Sequence, residues 1–244
     1  MPDYLGTFIY NNSICSMNFS KIAFFDFDDT IICEDSFIGF SKYALGTKKY
    51  IISLILSIPY IVSWKLGIIS NSRAKEMLFN RMFKGLQLET FNKLCEEYAG
   101  RLKPNGAILH QIKHLQQQGV EIVIVSASIR NWIEPFAKRL SIRHIIATEI
   151  EIESENKLLT GKFNTPNCFG PEKVNRILQI FNLRDTEIWS FSDSMSDRPL
   201  FNISDYPFLV SGNKISPLSP IKDTVGTKWK AKYSRVMRNI NHFT

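Results

Sequence analysis

The sequence predicts an α/β protein: a parallel sheet with helices on both faces, interrupted early by an all-helical insert. Three observations predict it. Apolar runs ending in polar residues occur at Lys21-Ile-Ala-Phe-Phe-Asp26, at Val120-Glu-Ile-Val-Ile-Val125 before Ser126, and at Glu187-Ile-Trp-Ser-Phe191 before Ser192 and Asp193. Helix-period stretches separate the later runs, and strand alternating with helix implies a parallel sheet covered on both sides. Residues 32–103 break that alternation, being helical in pattern with no strand evident.

In chain order, residues 1–20 carry neither a basic leader nor an unbroken apolar run. They read as a weakly structured extension without an export signal, and Met17 is a second candidate start. The run at 21–26 reads as a strand buried on both faces, since strands covered by helices are continuously apolar. Within 32–103, helices are expected near 36–45, 48–57, 60–68, 73–83 and 89–99, as a cap over the strand ends. Residues 50–64 are uncharged and bounded by Lys48, Lys49 and Lys65. As a helix they reach about 22 Å, short of the ~30 Å hydrocarbon core, and Pro59 interrupts them. They suit either the cap's own core or an interfacial hairpin at a membrane surface.

The helix at 104–119 aligns Ile108, Leu109, Ile112 and Leu115 on one face, and Gly119 stops it. His110 and His114 on it read as a solvated face. A helix starting at Gly170-Pro171 aligns Val174, Ile177, Leu178 and Phe181. A last short strand is expected at 207–210, and residues 214–244, polar and aperiodic, as a mobile appendage. The expected organisation is therefore an extension at 1–20, a core of 21–31 with 104–213, a helical cap at 32–103 and a basic tail at 214–244.

Composition excludes several classes. With 44% hydrophobic and 22% charged residues the chain is neither a disordered tail nor a collagen-like repeat. The net charge is +7, but residues 221–244 hold six basic residues and one acid, so the remainder is nearly neutral. That argues against a uniformly basic nucleic-acid binder. Cys15, Cys33, Cys95 and Cys168 are scattered without metal spacing, as buried thiols in a reducing compartment are. A cytoplasmic protein is expected, at the inner face of the membrane if the apolar segment meets it.

The chemistry-bearing residues stand at the strand ends, where ligands bind in open parallel sheets. Asp26-Phe-Asp28-Asp29-Thr30 places two carboxylates at i and i+2, suited to attack and proton donation at one phosphorus if their environments separate their pKa values. A solvated acidic turn is the plainer reading of such a pair alone. Ser126 with the Ala127 backbone suits an oxyanion or phosphate, although Ser also caps helices. Lys173, in the first turn of its helix, is disfavoured by the helix dipole but sensible as a phosphate ligand. Asp193-Ser-Met-Ser-Asp197 supplies an acid for a hard cation and a second that orients its neighbours.

Together, in order and in place, these motifs resemble the haloacid dehalogenase superfamily, and within it the phosphoserine-phosphatase-like subfamily IB. The strong signals are DFDDT, Cys168-Phe-Gly170-Pro-Glu-Lys173 and Ser192-Asp193-Ser-Met-Ser-Asp197-Arg-Pro-Leu200. The apolar cap segment and Asp35-Ser-Phe carry a weaker similarity to phosphatidylglycerophosphatase C-like members. The resemblance implies a Rossmann-like sheet with an all-helical C1-type cap. It implies a Mg2+-dependent phosphatase with Asp26 as nucleophile and Asp28 as general acid and base. Mg2+ would be held by Asp26, Asp193 and the Asp28 carbonyl, phosphate by Ser126, Ala127 and Lys173, with Thr30 and Asp197 in support. Asp29 stands where the family often has Gly or Ser, so no role falls to it. Asp35, Arg73 and Arg81 are candidate cap contacts to substrate. The expected partner is a phosphorylated lipid, such as phosphatidylglycerophosphate, or a small metabolite such as phosphoserine. A non-catalytic binding protein with a basic tail is the rival class.

Overall fold

A computed structural model of the protein describes residues 17–218. The first described element, β1 (Met17–Asn18), is followed by β2 (Lys21–Phe25), whose two faces are both apolar. Ala23 and Phe25 share one buried cluster with Ile122 and Ile124, while Ile22 and Phe24 share another with Val123 and Val125. These partners lie on β3 (Glu121–Ile129), which pairs with β2 in parallel. Such two-sided burial needs helices above and below. On the first face lie α5 (Gly106–Gln117), through Ile108, Ile112 and Leu115, and α6 (Arg130–Arg139), through Trp132 and Ile133. On the second lie α7 (Pro171–Ile180), through Ile177, and α8 (Arg198–Asn202), through Leu200.

The sheet is completed by β4 (His144–Thr148), β8 (Glu187–Ser192), β9 (Tyr206–Ser211) and β10 (Lys214–Pro217). Its order is β10-β9-β8-β2-β3-β4, parallel except for β10. From β2 the chain runs outward through β3 and β4, then returns to β8 on the other side. The order reverses beside the carboxyl end of β2, where ligands bind in folds of this kind.

The insert contains α1 (Ser36–Leu56), α2 (Ile58–Lys65), α3 (Asn71–Phe83) and α4 (Leu88–Ala99). The long first helix is broken at Gly46, with φ 71° and ψ 158°, between the two helices expected at 36–45 and 48–57. The chain leaves and re-enters the sheet-bearing part side by side, at the Ile32–Pro104 bridge. A hairpin of β5 (Ile150–Ile152) and β6 (Leu159–Phe163) grips the loop between α3 and α4, with Leu159 N–H donating to Leu86 O and Gly85 N–H to Leu159 O. An aromatic cluster completes the attachment: Phe40 of α1 stacks on Trp132 of α6 at 4.7 Å and meets Phe91 of α4 at 5.3 Å.

Several sequence expectations need correction. Met17 and Asn18 pair in parallel with β7 (Phe181–Asn182), so the extension contributes a short bridge. Residues 214–217 form the sheet's edge instead of an appendage, because antiparallel pairing with β9 satisfies their backbone. The remainder of the basic tail lies outside the described residues. Leu178 is exposed, and α7 buries Lys173 and Ile177 instead. Cys95 and Cys168 are buried but Cys33 is exposed. The elements β4, α6, β5 and β6 had no clear sequence pattern.

Phe40 joins the insert to the sheet-bearing part. Truncating a fully buried aromatic costs about 3–5 kcal/mol. Phe40→Ala should therefore lower the urea midpoint by that equivalent with an unchanged m-value.

Candidate active site

The site is built where β2, β3 and β8 end. Asp26 follows β2 directly, and its N–H still donates to Phe191 O on β8 at 2.9 Å. Residues 27–31 then make one wide turn, closed by Ile32 N–H donating to Phe27 O at 3.1 Å and anchored by buried Phe27 and Ile31. Asp29 adopts φ 49° in this turn, a left-handed conformation that Asp tolerates better than bulkier residues. Its side chain is exposed, so it stands apart from its two neighbours. Thr30 is buried, and its Oγ1 accepts the Asp193 N–H at 2.9 Å, tying this turn to the loop after β8.

Asp28 reaches the end of β3. Its Oδ2 accepts from Ser128 Oγ at 2.5 Å, and its Oδ1 accepts the Ser36 N–H at 3.0 Å. The pairing of β3 with β4 is irregular between Ser126 and Ile129, where Ser126 Oγ accepts the Ser128 N–H at 3.0 Å. Ser126 thus lies within an irregular strand end instead of beyond the strand. Behind Ser128 the bonds continue inward: Ser36 Oγ donates to Ser128 Oγ at 3.0 Å, and Trp132 Nε1 donates to Ser36 Oγ at 2.8 Å.

Lys173 is the centre of charge. Its Nζ lies 2.9 Å from Asp26 Oδ1 and 2.6 Å from Asp197 Oδ2, with only 2% of the residue exposed. Asp197 Oδ2 also accepts from Ser192 Oγ at 2.7 Å. Gly170, at φ 56° and ψ −124°, takes a backbone conformation suited to glycine and delivers the chain to Pro171, the first residue of α7.

Burial dominates the titration of these groups. It pushes the Asp26 carboxyl up to about 7, although Lys173 pulls it down. Burial and then Asp35 raise Asp28, against Lys75, Ser128 and Ser36. Burial and then Asp29 raise Asp193. Burial alone would lower Lys173, but Asp26 and Asp197 reverse this and hold its ammonium charged.

The structure brings Asp26, Asp28, Thr30, Ser126, Lys173, Asp193 and Asp197 together across three strand ends. Ala127 contributes its carbonyl, which accepts from Thr148 Oγ1 at 2.9 Å and from Lys75 Nζ at 3.1 Å. Asp35 caps α1 by accepting the Ile38 N–H at 2.9 Å. Arg73 and Arg81 stay away: both are exposed, and Arg73 is bound to Glu76. The cap cation at the site is Lys75, on α3, its Nζ also 5.1 Å from the Phe37 ring centre. Burial lowers its ammonium, while Asp28, Asp35 and Asp26 favour its charge. Sequence reasoning missed Lys75 and Ser128, because a lysine in a polar helix and a serine after a strand carry no signal of their own.

Four carboxylates, of Asp26, Asp28, Asp193 and Asp197, face two lysines in this cluster. Among the described residues no three or more His, Cys, Asp or Glu side chains form a ready cage. The donors are all hard oxygens, which fits a divalent cation that takes one or two carboxylates and keeps several waters.

A family description, haloacid dehalogenase-like hydrolase, matches residues 23–202. The protein CicA of Caulobacter vibrioides is 25% identical over 186 residues, covering 74% of this chain and 82% of CicA. A protein of unknown function from Bordetella pertussis Tohama I superposes with a TM-score of 0.66 at 20% identity, over 79% of this chain and 89% of that one. A phosphoserine phosphatase solved as a phospho-aspartyl intermediate analogue superposes with a TM-score of 0.52 at 18% identity, over 77% and 85%. At these identities the two structures speak for the fold.

Removing one partner of a buried ion pair leaves an uncompensated charge. Asp197→Ala should destabilise the protein by about 3 kcal/mol, since Lys173 keeps only Asp26. Thermal unfolding checks this, and Asp197→Asn should recover part of the loss.

Proposed function

The chain belongs to the haloacid dehalogenase-like hydrolases, and on that footing we propose that it is a Mg2+-dependent phosphomonoester hydrolase working through an aspartyl-phosphate on Asp26. The observation that carries this reading is the buried Asp26–Lys173–Asp197 bridge, with a second carboxyl, Asp28, hydrogen-bonded beside it. A charged lysine fixed against Asp26 supplies a place for phosphoryl oxygens. Mg2+ held by Asp26, Asp193 and the Asp28 carbonyl would offset the charge of the transferring group.

Asp26 attacks phosphorus while the bond to the leaving alcohol breaks, and protonated Asp28 gives that alkoxide its proton. In the second half, Asp28 takes a proton from the attacking water, and the bond from phosphorus to Asp26 breaks to release phosphate. Burial suits Asp28 to this alternation by raising its carboxyl toward the protonated form. Ser128 suits it too, because a hydroxyl donates to the carboxylate and can turn to accept from the acid. Ser126 and the Ala127 backbone complete the phosphate cradle, and Asp197 holds Lys173 in place.

The substrate we favour is a lipid phosphate, of the phosphatidylglycerophosphate kind. What supports it is the apolar surface on α1 and α2, where Ile52, Ile55 and Ile58 are exposed. A small metabolite such as phosphoserine is the second reading, and Lys75 beside Asp28 favours it as a counter-charge for a substrate carboxylate.

Aryl phosphate hydrolysis should require Mg2+ and stop in EDTA. Asp26→Asn should fall to background with the fold intact; turnover near the parent rate would remove Asp26 from the mechanism. Ser128→Ala should slow turnover by about tenfold, less than the ~10²–10⁴ of losing Asp28 itself, and should shift the pH profile as a purely structural change would not. Lys75→Met separates the substrate classes. It should raise KM for phosphoserine several-fold if a carboxylate is bound there, and leave a lipid phosphate unaffected otherwise.

A further inference from the structure

We propose that the second half of α1 and all of α2 form a surface that docks onto a bilayer containing anionic lipid. A helix packed on a soluble core turns one face inward, yet α2, Ile-Pro-Tyr-Ile-Val-Ser-Trp-Lys, has no buried residue. Its apolar side chains and those beside it point outward instead: Ile52, Ile55 and Ile58 are 56%, 57% and 50% exposed, and Leu66 and Ile68 are 70% and 71% exposed. Scattered apolar residues need no explanation, but a continuous apolar stretch at the surface marks a binding face.

Charge identifies the occupant. Between residues 36 and 73 there is no Asp or Glu, while Lys42, Lys48, Lys49, Lys65 and Arg73 supply five cations. Exposed Lys48 and Lys49 precede the apolar run and Lys65 ends it. On the flank, Tyr60 of α2 shares a groove of about 370 Å3 with Arg73, Arg81 and Lys162, where Glu76 is the one acid. A basic rim around an apolar face complements anionic headgroups over acyl chains. A second copy of this chain would fit worse, because a two-fold contact of this patch with itself sets lysines against lysines.

Length decides how the surface sits. No single helix among the described residues is long and apolar enough to cross a membrane, and α1 and α2 meet at a 53° bend. The eight residues of α2 rise about 12 Å and the ten of α1 after Gly46 about 15 Å, against a hydrocarbon core of ~30 Å. The pair therefore lies within the interfacial zone, with Tyr60 and Trp64 at the headgroup level that such rings prefer.

The surface and the cleft share α1: its first residue, Ser36, donates its N–H to Asp28 Oδ1, and its last turns carry the exposed isoleucines. Docking here would hold the cleft beside a lipid surface. This deepens the lipid-phosphate reading, but vesicle binding is measured without turnover, so either can fail alone.

The test is flotation of the full chain with vesicles of phosphatidylcholine, with and without about one third phosphatidylglycerol, at low and high salt. The comparison variants are Ile52→Asp with Ile55→Asp, and Lys48→Glu with Lys49→Glu. The parent should float with anionic vesicles and less with neutral ones, and retention should weaken as salt screens the rim. The Ile pair should weaken binding at least about a hundredfold, since each exposed isoleucine loses insertion worth more than a factor of about ten. It should keep the parent's oligomeric state and hydrolyse aryl phosphate as before, and the Lys pair should weaken the salt dependence. A parent that stays unbound with every vesicle overturns the proposal. So does an Ile pair that floats like the parent, which would credit the C-terminal basic residues alone. A parent dimer that the Ile pair dissociates, without vesicle binding, would show the surface to be a self-contact instead.

Discussion

A lysine ammonium buried between two carboxylates is the interaction on which the rest of this structure depends. Lys173 would lose its charge in an apolar interior, and Asp26 and Asp197 prevent that at 2.9 and 2.6 Å. Each partner belongs to a different part of the sheet: Asp26 to the end of β2, Asp197 to the turn after β8, Lys173 to the first turn of α7. The bridge can close only if β2 and β8 are adjacent and α7 crosses the sheet in one register and one rotation. Lys173 and Ile177, one turn apart, share the buried face of α7, and that rotation leaves Leu178 exposed.

The second carboxyl, Asp28, depends on the insert as well as the sheet. Its two oxygens are held by Ser128 from β3 and by the backbone of Ser36 at the start of α1; Trp132 of α6 donates to Ser36 Oγ, which in turn donates to Ser128 Oγ. Lys75 reaches the same region from α3. The nucleophile side of the site is therefore a property of the sheet, while the acid–base side is shared with the insert. The aromatic cluster around Phe40 connects the two, so movement of the insert would be felt at Asp28 before Asp26.

The insert has two unlike ends. Its α3–α4 end packs on the β5–β6 hairpin and on α6 through Phe79, Phe83 and Phe91, all buried. Its α1–α2 end carries isoleucines that keep about half of their surface in solvent. Apolar area left in water gives no folding stability, so this end is better explained by what it meets than by what it holds together.

The sequence by itself determined the strands at 21–26, 120–125 and 187–191, because strands buried on both faces are continuously apolar and end in the residues that do chemistry. Asp26, Asp28 and Asp193 were legible for the same reason, as polar residues after apolar runs, whereas Lys173, in the first turn of a helix, was legible through the family resemblance of its motif. The sequence did not determine β4, α6 or the β5–β6 hairpin: Pro135 interrupts the helix, and Gly161 and Lys162 blur the second hairpin strand. Nor did it single out Lys75 or Ser128, whose importance lies in which residues lie across from them. Arg73 and Lys75 are two residues apart on one helix, and only the rotation of α3 decides that Lys75 meets the strand ends while Arg73 pairs with Glu76 at the surface. Whether residues 50–64 were core or surface was equally open, since an uncharged run has the same composition in either place. Tertiary structure divided it, burying Tyr50 and Ser57 while leaving Ile52, Ile55 and Ile58 about half exposed: burial is a relation between elements, and a linear pattern records only one of the two sides.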